Sequence, residues 1–271
     1  MDVNVAVRAF DRLAPHYDEA CSGTLFRRMR DQVHAVLGPA FRRGDRVLEI
    51  GCGSGADTAF LAARQVDVVA ADPAPGMITH ARGRIERVPS RGSVQFVCCG
   101  LNDIEAHLAP AAAFDGIFSD FGALNCVPRL EALGSLAARR LKPGGRVIVC
   151  LMSPACAIEM GWFLLRGEPR QAFRRLGRPP VMVDVKGLRV PTYYHRVRDV
   201  QAALGPAFVL RRVTGLSVFV PPPYLEARWA ALPARARRAL AGVDRALASR
   251  WPFNRLGDHT LAEFEDVRIE D

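Results

Sequence analysis

Lysine is nearly missing from this chain: Lys142 and Lys186 are the only two among 37 Lys and Arg side chains. Paired cysteine is missing altogether. The seven cysteines form no CxxC pair, and only Cys98 and Cys99 are adjacent, in an apolar strand-like run. Neither a disulfide framework nor a metal site is therefore expected, and buried thiols in a reducing compartment are. No run approaches the roughly 18 consecutive apolar residues that would span a bilayer. The first ten residues carry Asp2 and Arg8 and lack the apolar stretch of a secretory signal, so a cytoplasmic location is expected. The 23 Gly and 19 Pro are scattered, with no internal repeat and no low-complexity segment, which excludes a fibrous or disordered class. What is abundant is apolar residue, 49% of 271, enough for a sizeable core.

The net charge of +9 is unevenly placed. Residues 1–150 hold 18 basic and 16 acidic side chains, residues 151–257 hold 18 and 6, and residues 258–271 hold 1 and 6. The excess is thus concentrated in the middle segment and is almost wholly Arg. An Arg-rich segment favours anionic substrates, anionic lipid surfaces or nucleic acid.

Strand-like apolar runs alternate with helical spacing through the first half. Residues 46–50 (RVLEI), 66–71 (VDVVAA), 94–99, 114–119 (FDGIFS) and 146–152 read as strands. Residues 58–64, 77–88 and 130–141 read as the helices between them. This alternation implies βαβ units and a mostly parallel sheet covered on both faces. The second half is less regular. Helical spacing over 159–176 breaks near Gly167, and residues 181–185 and 188–194 flank Lys186-Gly187 as a hairpin. A short helix follows over 198–204. Residues 208–220 then read as a long strand with Gly215 as a bulge, and 259–267 as a last strand. Between these strands, Leu240, Val243, Leu247 and Trp251 share one helical face.

The stretch Val47-Leu48-Glu49-Ile50-Gly51-Cys52-Gly53-Ser54-Gly55 carries the most chemistry. A strand running into alternate glycines makes a tight turn whose backbone approaches a ligand closely, and a helix N-terminus with free N–H groups follows. Asp72 lies 21 residues after Gly51, at the end of the next strand, where a carboxylate holds ribose hydroxyls. The spacing is GxGxG, since position 56 is Ala. Glu49 sits two residues before the first glycine, inside an apolar strand. A diphosphate site gains nothing from that carboxylate, whereas a ligand bearing an ammonium group would. The pattern points to a cationic amino-acid nucleoside rather than to a dinucleotide.

The same stretch resembles motif I of class I S-adenosylmethionine-dependent methyltransferases, and the likeness continues in order over about residues 8–152. Asp72 matches the family's acid after strand two, with Pro73 beside it and Met77 placed to pack on the adenine. The adenine loop after strand three corresponds to Gly100-Leu101-Asn102-Asp103. Here the chain departs from the pattern, because members often carry Asp where this one has Gly100. Adenine recognition then falls to Leu101, Asn102 and Asp103. Ser119-Asp120-Phe121 matches the fourth motif, and Leu141-Lys142-Pro143-Gly144-Gly145 matches the frequent LKPGG turn. Phe10-Asp11-Arg12-Leu13-Ala14-Pro15-His16-Tyr17-Asp18 resembles the FDxxAxxYD segment of small-molecule members, whose Tyr reaches the methionine end of the cofactor. Glycines needed only for packing would explain motif I alone, but not these later segments in register.

The resemblance implies a Rossmann-like seven-stranded sheet, mostly parallel with an antiparallel last strand, and S-adenosyl-L-methionine as cofactor. It divides the chain into a cofactor-binding core (1–152), cap segments interleaved with a helix and strand six (153–257), and a last core strand (258–271). The expected cofactor contacts are Tyr17, Glu49, Gly51, Cys52, Gly53, Gly55, Asp72, Pro73, Met77, Leu101, Asn102, Asp103 and Ser119. Both cap segments start at the carboxyl edge of the strands, where ligands bind, so the basic excess is expected above the cofactor. Methyl transfer is an in-line displacement in which the protein mainly aligns the acceptor and excludes water. Where a base is needed, His195, His259 and Tyr194 are the candidates.

A small-molecule acceptor, a hydroxyl oxygen of an apolar or acidic metabolite, is the expected substrate. The nearest alternative is C- or O-methylation of a membrane-borne quinone or lipid. Trp162, Phe163, Leu164 and Leu165 beside Arg166 favour peripheral membrane contact, as does the Arg face of residues 235–250. They serve equally as an apolar substrate wall and a solvated outer face. RNA methylation has only the basic excess behind it, with no recognised RNA module. No Asn-Pro-Pro-Tyr signature of chemistry on base amines stands near Ser119. A catalytically silent cofactor-binding protein is opposed by Glu49, the glycine turn and Asp72.

Overall fold

The computed structural model describes residues 3–89, 91–177 and 180–268. The N-terminal helices are α1 (Val3–Leu13), the single turn α2 (Tyr17–Ala20) and α3 (Thr24–Ala40). Strands and helices then alternate: β1 (Arg46–Ile50), α4 (Ala56–Ala63), β2 (Asp67–Ala71), α5 (Pro75–Arg87), β3 (Val94–Val97), β4 (Phe114–Ser119), α6 (Glu131–Arg140) and β5 (Leu141–Met152). Two short helices follow, α7 (Ala157–Leu165) and α8 (Pro169–Ala172), then the hairpin β6 (Val181–Val185) and β7 (Leu188–Thr192). The chain continues through α9 (Val197–Leu204), β8 (Phe208–Leu216), α10 (Glu226–Ala231), α11 (Ala234–Leu247) and β9 (His259–Asp266).

Seven strands form one sheet in the order β3-β2-β1-β4-β5-β9-β8. The first five pair in parallel, and β9 runs antiparallel between β5 and β8. The central strands are buried on both faces, as their unbroken apolar runs require. On one face, Met29, Val33 and Leu37 of α3 pack with Leu61 of α4 against Val47, Phe118 and Ile148. On the other face, Leu133 and Leu136 of α6 join Val200 and Leu204 of α9 against Phe114, Val147 and Phe264.

Three details depart from the sequence reading. The eighth strand stops at Leu216, and its register shift lies between Leu210 and Arg212 rather than at Gly215. Gly215 is instead hemmed in, since a Cβ there would lie 2.8 Å from the Phe253 carbonyl oxygen. The third strand ends at Val97. The segment 221–257 packs beside α3: buried Asp244 accepts the Val218 and Phe219 N–H groups at 2.8 and 2.9 Å and faces Arg28 at 3.4 Å. Glu226 accepts the Leu25 N–H at 2.9 Å, so this Arg-rich segment braces the N-terminal helices.

Candidate active site

The first βα turn sets the floor of a cavity. Gly51, Gly53 and Gly55 all have positive φ, at 78°, 51° and 74°, a backbone region costly for other residues. A Cβ on Gly51 would stand 2.2 Å from the Ala123 side chain, so only glycine lets the turn pass under the loop after β4. Asp72, at the carboxyl end of β2, accepts the Gly53 N–H at 3.0 Å with one oxygen and the Ala74 N–H at 2.9 Å with the other. Burial pushes its carboxyl above the ordinary range, and the two N–H groups oppose that rise. Each carboxylate oxygen keeps a lone pair for a further donor.

The N-terminal segment is fastened over this turn by its two aspartates. Asp11 accepts the Gly76 N–H at 2.6 Å, at the start of α5. Asp18 accepts the Ser54 hydroxyl at 2.7 Å, lies 3.1 Å from His80 Nε2 and pairs with Arg84. Burial pushes the Asp18 carboxyl up, but these partners hold it below the ordinary range. The result is that the Tyr17 ring lies 3.8 Å from where a Gly53 Cβ would stand, and burial drives the phenol well above its usual value.

Ten of the expected cofactor residues line the cavity together: Tyr17, Gly51, Cys52, Gly53, Asp72, Pro73, Met77, Leu101, Asn102 and Asp103. Three do not. Gly55 underlies α4, where a Cβ would meet Ala81 at 2.8 Å. The Ser119 hydroxyl is buried and donates to the Ile50 carbonyl at 2.9 Å, tying β4 to β1. Glu49 lies behind the glycine turn, accepting the Thr58 hydroxyl at 2.5 Å, and burial together with Asp57 pushes its carboxyl up to about 8. That bond anchors α4 to β1.

Charged groups that sequence reasoning passed over occupy the same end of the cavity. Arg30, on α3, places its guanidinium 5.2 Å over the Phe26 ring and 5.5 Å over Phe121, with Nε 3.8 Å from Asp57 and no hydrogen-bond partner. Asp57 sits 2.7 Å from His34 Nε2; burial pushes its carboxyl up, but His34 and Arg30 outweigh that and hold it below the ordinary range. Asp120 is pushed well above the ordinary range by burial and by the neighbouring Asp57 charge, and its Oδ2 is buried without a partner. Arg30, Asp57, Asp120 and Phe121 all line the cavity. Asp120 and Phe121 belong to the quoted fourth motif, so their position was readable there. Nothing in the local pattern of α3 marks Arg30.

The base candidates stand elsewhere. No residue after Pro128 lines this cavity among the described residues. Tyr194 and His195 line a separate hollow with Arg175, Leu176 and Arg196, and Pro128 borders both. His195 Nε2 donates to the Val127 carbonyl at 2.8 Å. The wall between is stitched by buried Asn125, which donates to the Tyr193 carbonyl at 2.6 Å and accepts the Met152 N–H at 2.9 Å. His259, the first residue of β9, is buried with Nδ1 3.0 Å from Asp258, and its ring meets the edge of Phe121 at 5.7 Å. Phe121 holds that position through an unusual positive φ of 40°.

An adenosyl amino acid fits these groups. Asp72 can accept a diol, while Pro73, Met77 and Leu101 offer apolar walls to a base. Partnerless Arg30 Nε and Asp120 Oδ2 offer one donor and one acceptor to a zwitterionic end. A Cβ on Gly100 would meet nothing within 4 Å, leaving open the space that family members fill with Asp.

Comparison with known proteins agrees with this geometry. The family described as "Methyltransferase domain" matches residues 47–145. A demethylmenaquinone methyltransferase of Clavibacter sepedonicus is 32% identical over 160 residues, 57% of this chain and 62% of that protein, so less than two thirds of it is spanned. A second one, from Mycobacterium sp. (strain KMS), is 30% identical over 231 residues, 79% of this chain and 93% of that protein. Among solved structures, the CcbJ methyltransferase from Streptomyces caelestis superposes with a TM-score of 0.63 at 14% identity, over 99% of this chain and 100% of that one, which speaks for the fold. Glycine turn, strand order and relatives agree: the chain belongs to the class I S-adenosylmethionine-dependent methyltransferases.

Proposed function

We propose that the protein transfers the methyl group of S-adenosylmethionine to a small-molecule acceptor, a hydroxyl oxygen of an apolar or acidic metabolite. The observation that carries this reading is the cavity at the carboxyl edge of the sheet, in which Asp72, Tyr17, Arg30 and Asp120 converge. In this proposal Asp72 holds the ribose diol, with Met77 and Leu101 against the adenine and Asn102 and Asp103 at its rim. Arg30 pairs with the carboxylate of the methionine end, and Asp120 with its ammonium group. The cofactor supplies an activated methyl on a sulfonium. What remains for the chain is to align the acceptor in line and keep water out.

His259 is the base candidate that best suits an acidic acceptor. Its Nδ1 faces Asp258, an arrangement that orients an imidazole for proton uptake, and its ring borders Phe121 at the cavity wall. The relatives named demethylmenaquinone methyltransferase favour a second reading, methylation of a membrane-borne quinone.

Calorimetry tests the cofactor. Wild type is expected to bind S-adenosylmethionine and its demethylated product, and Asp72→Ala to bind both about 10–100-fold more weakly, the loss of hydrogen bonds to a charged group. Tight binding of a nicotinamide dinucleotide with none of S-adenosylmethionine would sink the proposal. For the base, His259→Gln is expected to lower kcat roughly 100-fold or more while cofactor affinity stays level. An unchanged kcat removes His259 from the chemistry.

A further inference from the structure

Helix α7 (AIEMGWFLL) is built inside out. Its one fully buried side chain is Glu159, held by Arg175, while Leu165 is 88% and Leu164 48% exposed. The rest of its apolar residues are only partly covered. The turns that follow continue the pattern, with Phe173 45% and Leu176 41% exposed. A helix with this composition in a soluble monomer ordinarily turns these residues inward. Here the ion pair with Arg175 fixes the opposite face, so the apolar side is left outward by construction. Exposed apolar clusters of this kind mark interaction surfaces.

Arginines interleave with the apolar side chains. Arg166 and Arg228 lie 5.7 and 5.1 Å from the Trp162 ring centroid, and Arg174 lies 5.5 Å from that of Phe163. Arg170 is exposed on α8. Three acidic groups nearby are engaged: Glu168 accepts from Arg166 at 2.8 Å, buried Glu159 pairs with Arg175 and lies 3.4 Å from Arg174, and buried Asp258 pairs with Arg175. A surface of Leu, Phe and Trp set among guanidiniums matches the boundary of an anionic bilayer, where apolar side chains enter the acyl region and cations meet the headgroups. A protein partner of ordinary acidic surface would satisfy the arginines but leave Leu164 and Leu165 facing polar groups.

The geometry points to the α7–α8 unit as a docking surface for an anionic membrane. Its place in the fold suits that use. α7 leaves the carboxyl end of β5, the edge on which the cofactor cavity lies. Leu176 belongs both to the exposed cluster and to the hollow that meets the cavity at Pro128. The surface thus reaches the hollow beside the cofactor pocket, and its binding to lipid stands independently of which acceptor is methylated.

Co-sedimentation of the full chain with phosphatidylcholine vesicles, with and without phosphatidylglycerol, tests the assignment. Binding is expected only with the anionic lipid, falling as salt rises. Leu165→Glu, at a side chain that is almost wholly exposed, is expected to weaken it roughly tenfold. Arg170→Glu should weaken it as well, and both variants should keep the wild-type melting temperature and S-adenosylmethionine affinity. Failure of the wild type to bind anionic vesicles overturns the proposal, as does equal binding by Leu165→Glu. A dimer seen by light scattering and broken by Leu165→Glu would assign the surface to a second copy of the chain and overturn it equally.

Discussion

Glu49 and Asp72 are both acids at strand ends in the same motif, yet their surroundings differ. Asp72 receives two backbone N–H groups and faces the cavity, whereas Glu49 is enclosed with one hydroxyl. The Glu49 carboxyl is raised from about 4.5 to about 8, so folding favours its protonated form. The stability this contributes is fully present below pH 4.5 and is lost as pH rises through 8. Glu49→Gln, which keeps a hydrogen-bonding partner for Thr58 without the charge, is expected to remove that loss. Melting temperatures measured from pH 5 to 9 should therefore fall less steeply for the variant, and parallel curves would show that Glu49 does not titrate there. Sequence spacing located both acids correctly along the chain. It could not tell which of them a neighbouring hydroxyl had already claimed, because Thr58 meets Glu49 only once α4 has folded back over β1.

At the scale of elements, the regular half of the chain was legible and the irregular half was legible only in part. Helices and strands between residues 46 and 152 follow from apolar periodicity because each buries its faces against neighbours close in sequence. The hairpin at Lys186-Gly187 was equally readable, since both residues adopt the positive φ such turns need, 51° and 78°. Arg30 was not. Its significance depends on α3 crossing Asp57 and Phe121, which no local pattern records. Helix α7 misleads a periodicity argument for a related reason: its orientation is set by Arg175 from a later turn, which bonds Glu159 and reaches Asp258 at 2.9 Å. Burial raises the Asp258 carboxyl, but His259 and Arg175 hold it down at about 2. Arg175→Met would leave both carboxylates buried without their shared cation. The expected cost is about 3–5 kcal/mol, read as a shift of the denaturation midpoint. A loss below about 1 kcal/mol, the value of an exposed pair, would mean that water reaches the cluster.

Over the whole molecule, the two cap segments divide their labour differently from what charge alone suggested. The Arg-rich stretch over 221–257 braces α3, while residues 193–195 are bonded to the loop that walls the cofactor cavity. Among the described residues no helix is long and apolar enough to cross a membrane. The basic excess therefore does not form one canopy above the cofactor. Part of it is consumed in internal ties (Arg175 to Glu159 and Asp258, Arg211 to Glu265), and the part around Trp162 and Phe163 stays outward.

β9 sits between β5 and β8 although more than a hundred residues separate it from β5. During synthesis the cofactor half, through β5, leaves the ribosome with one flank of its sheet unpaired, and that flank stays open while the next hundred residues are made. β5 is long and its residues 147–151 are buried in the finished protein, so for that interval it is a sticky template for any other extended chain. The arrival of residues 259–266 closes the sheet from the middle rather than from its edge. The same eight residues bring the His259 ring against Phe121, so the sheet is sealed and that wall residue is backed by the same late-made strand.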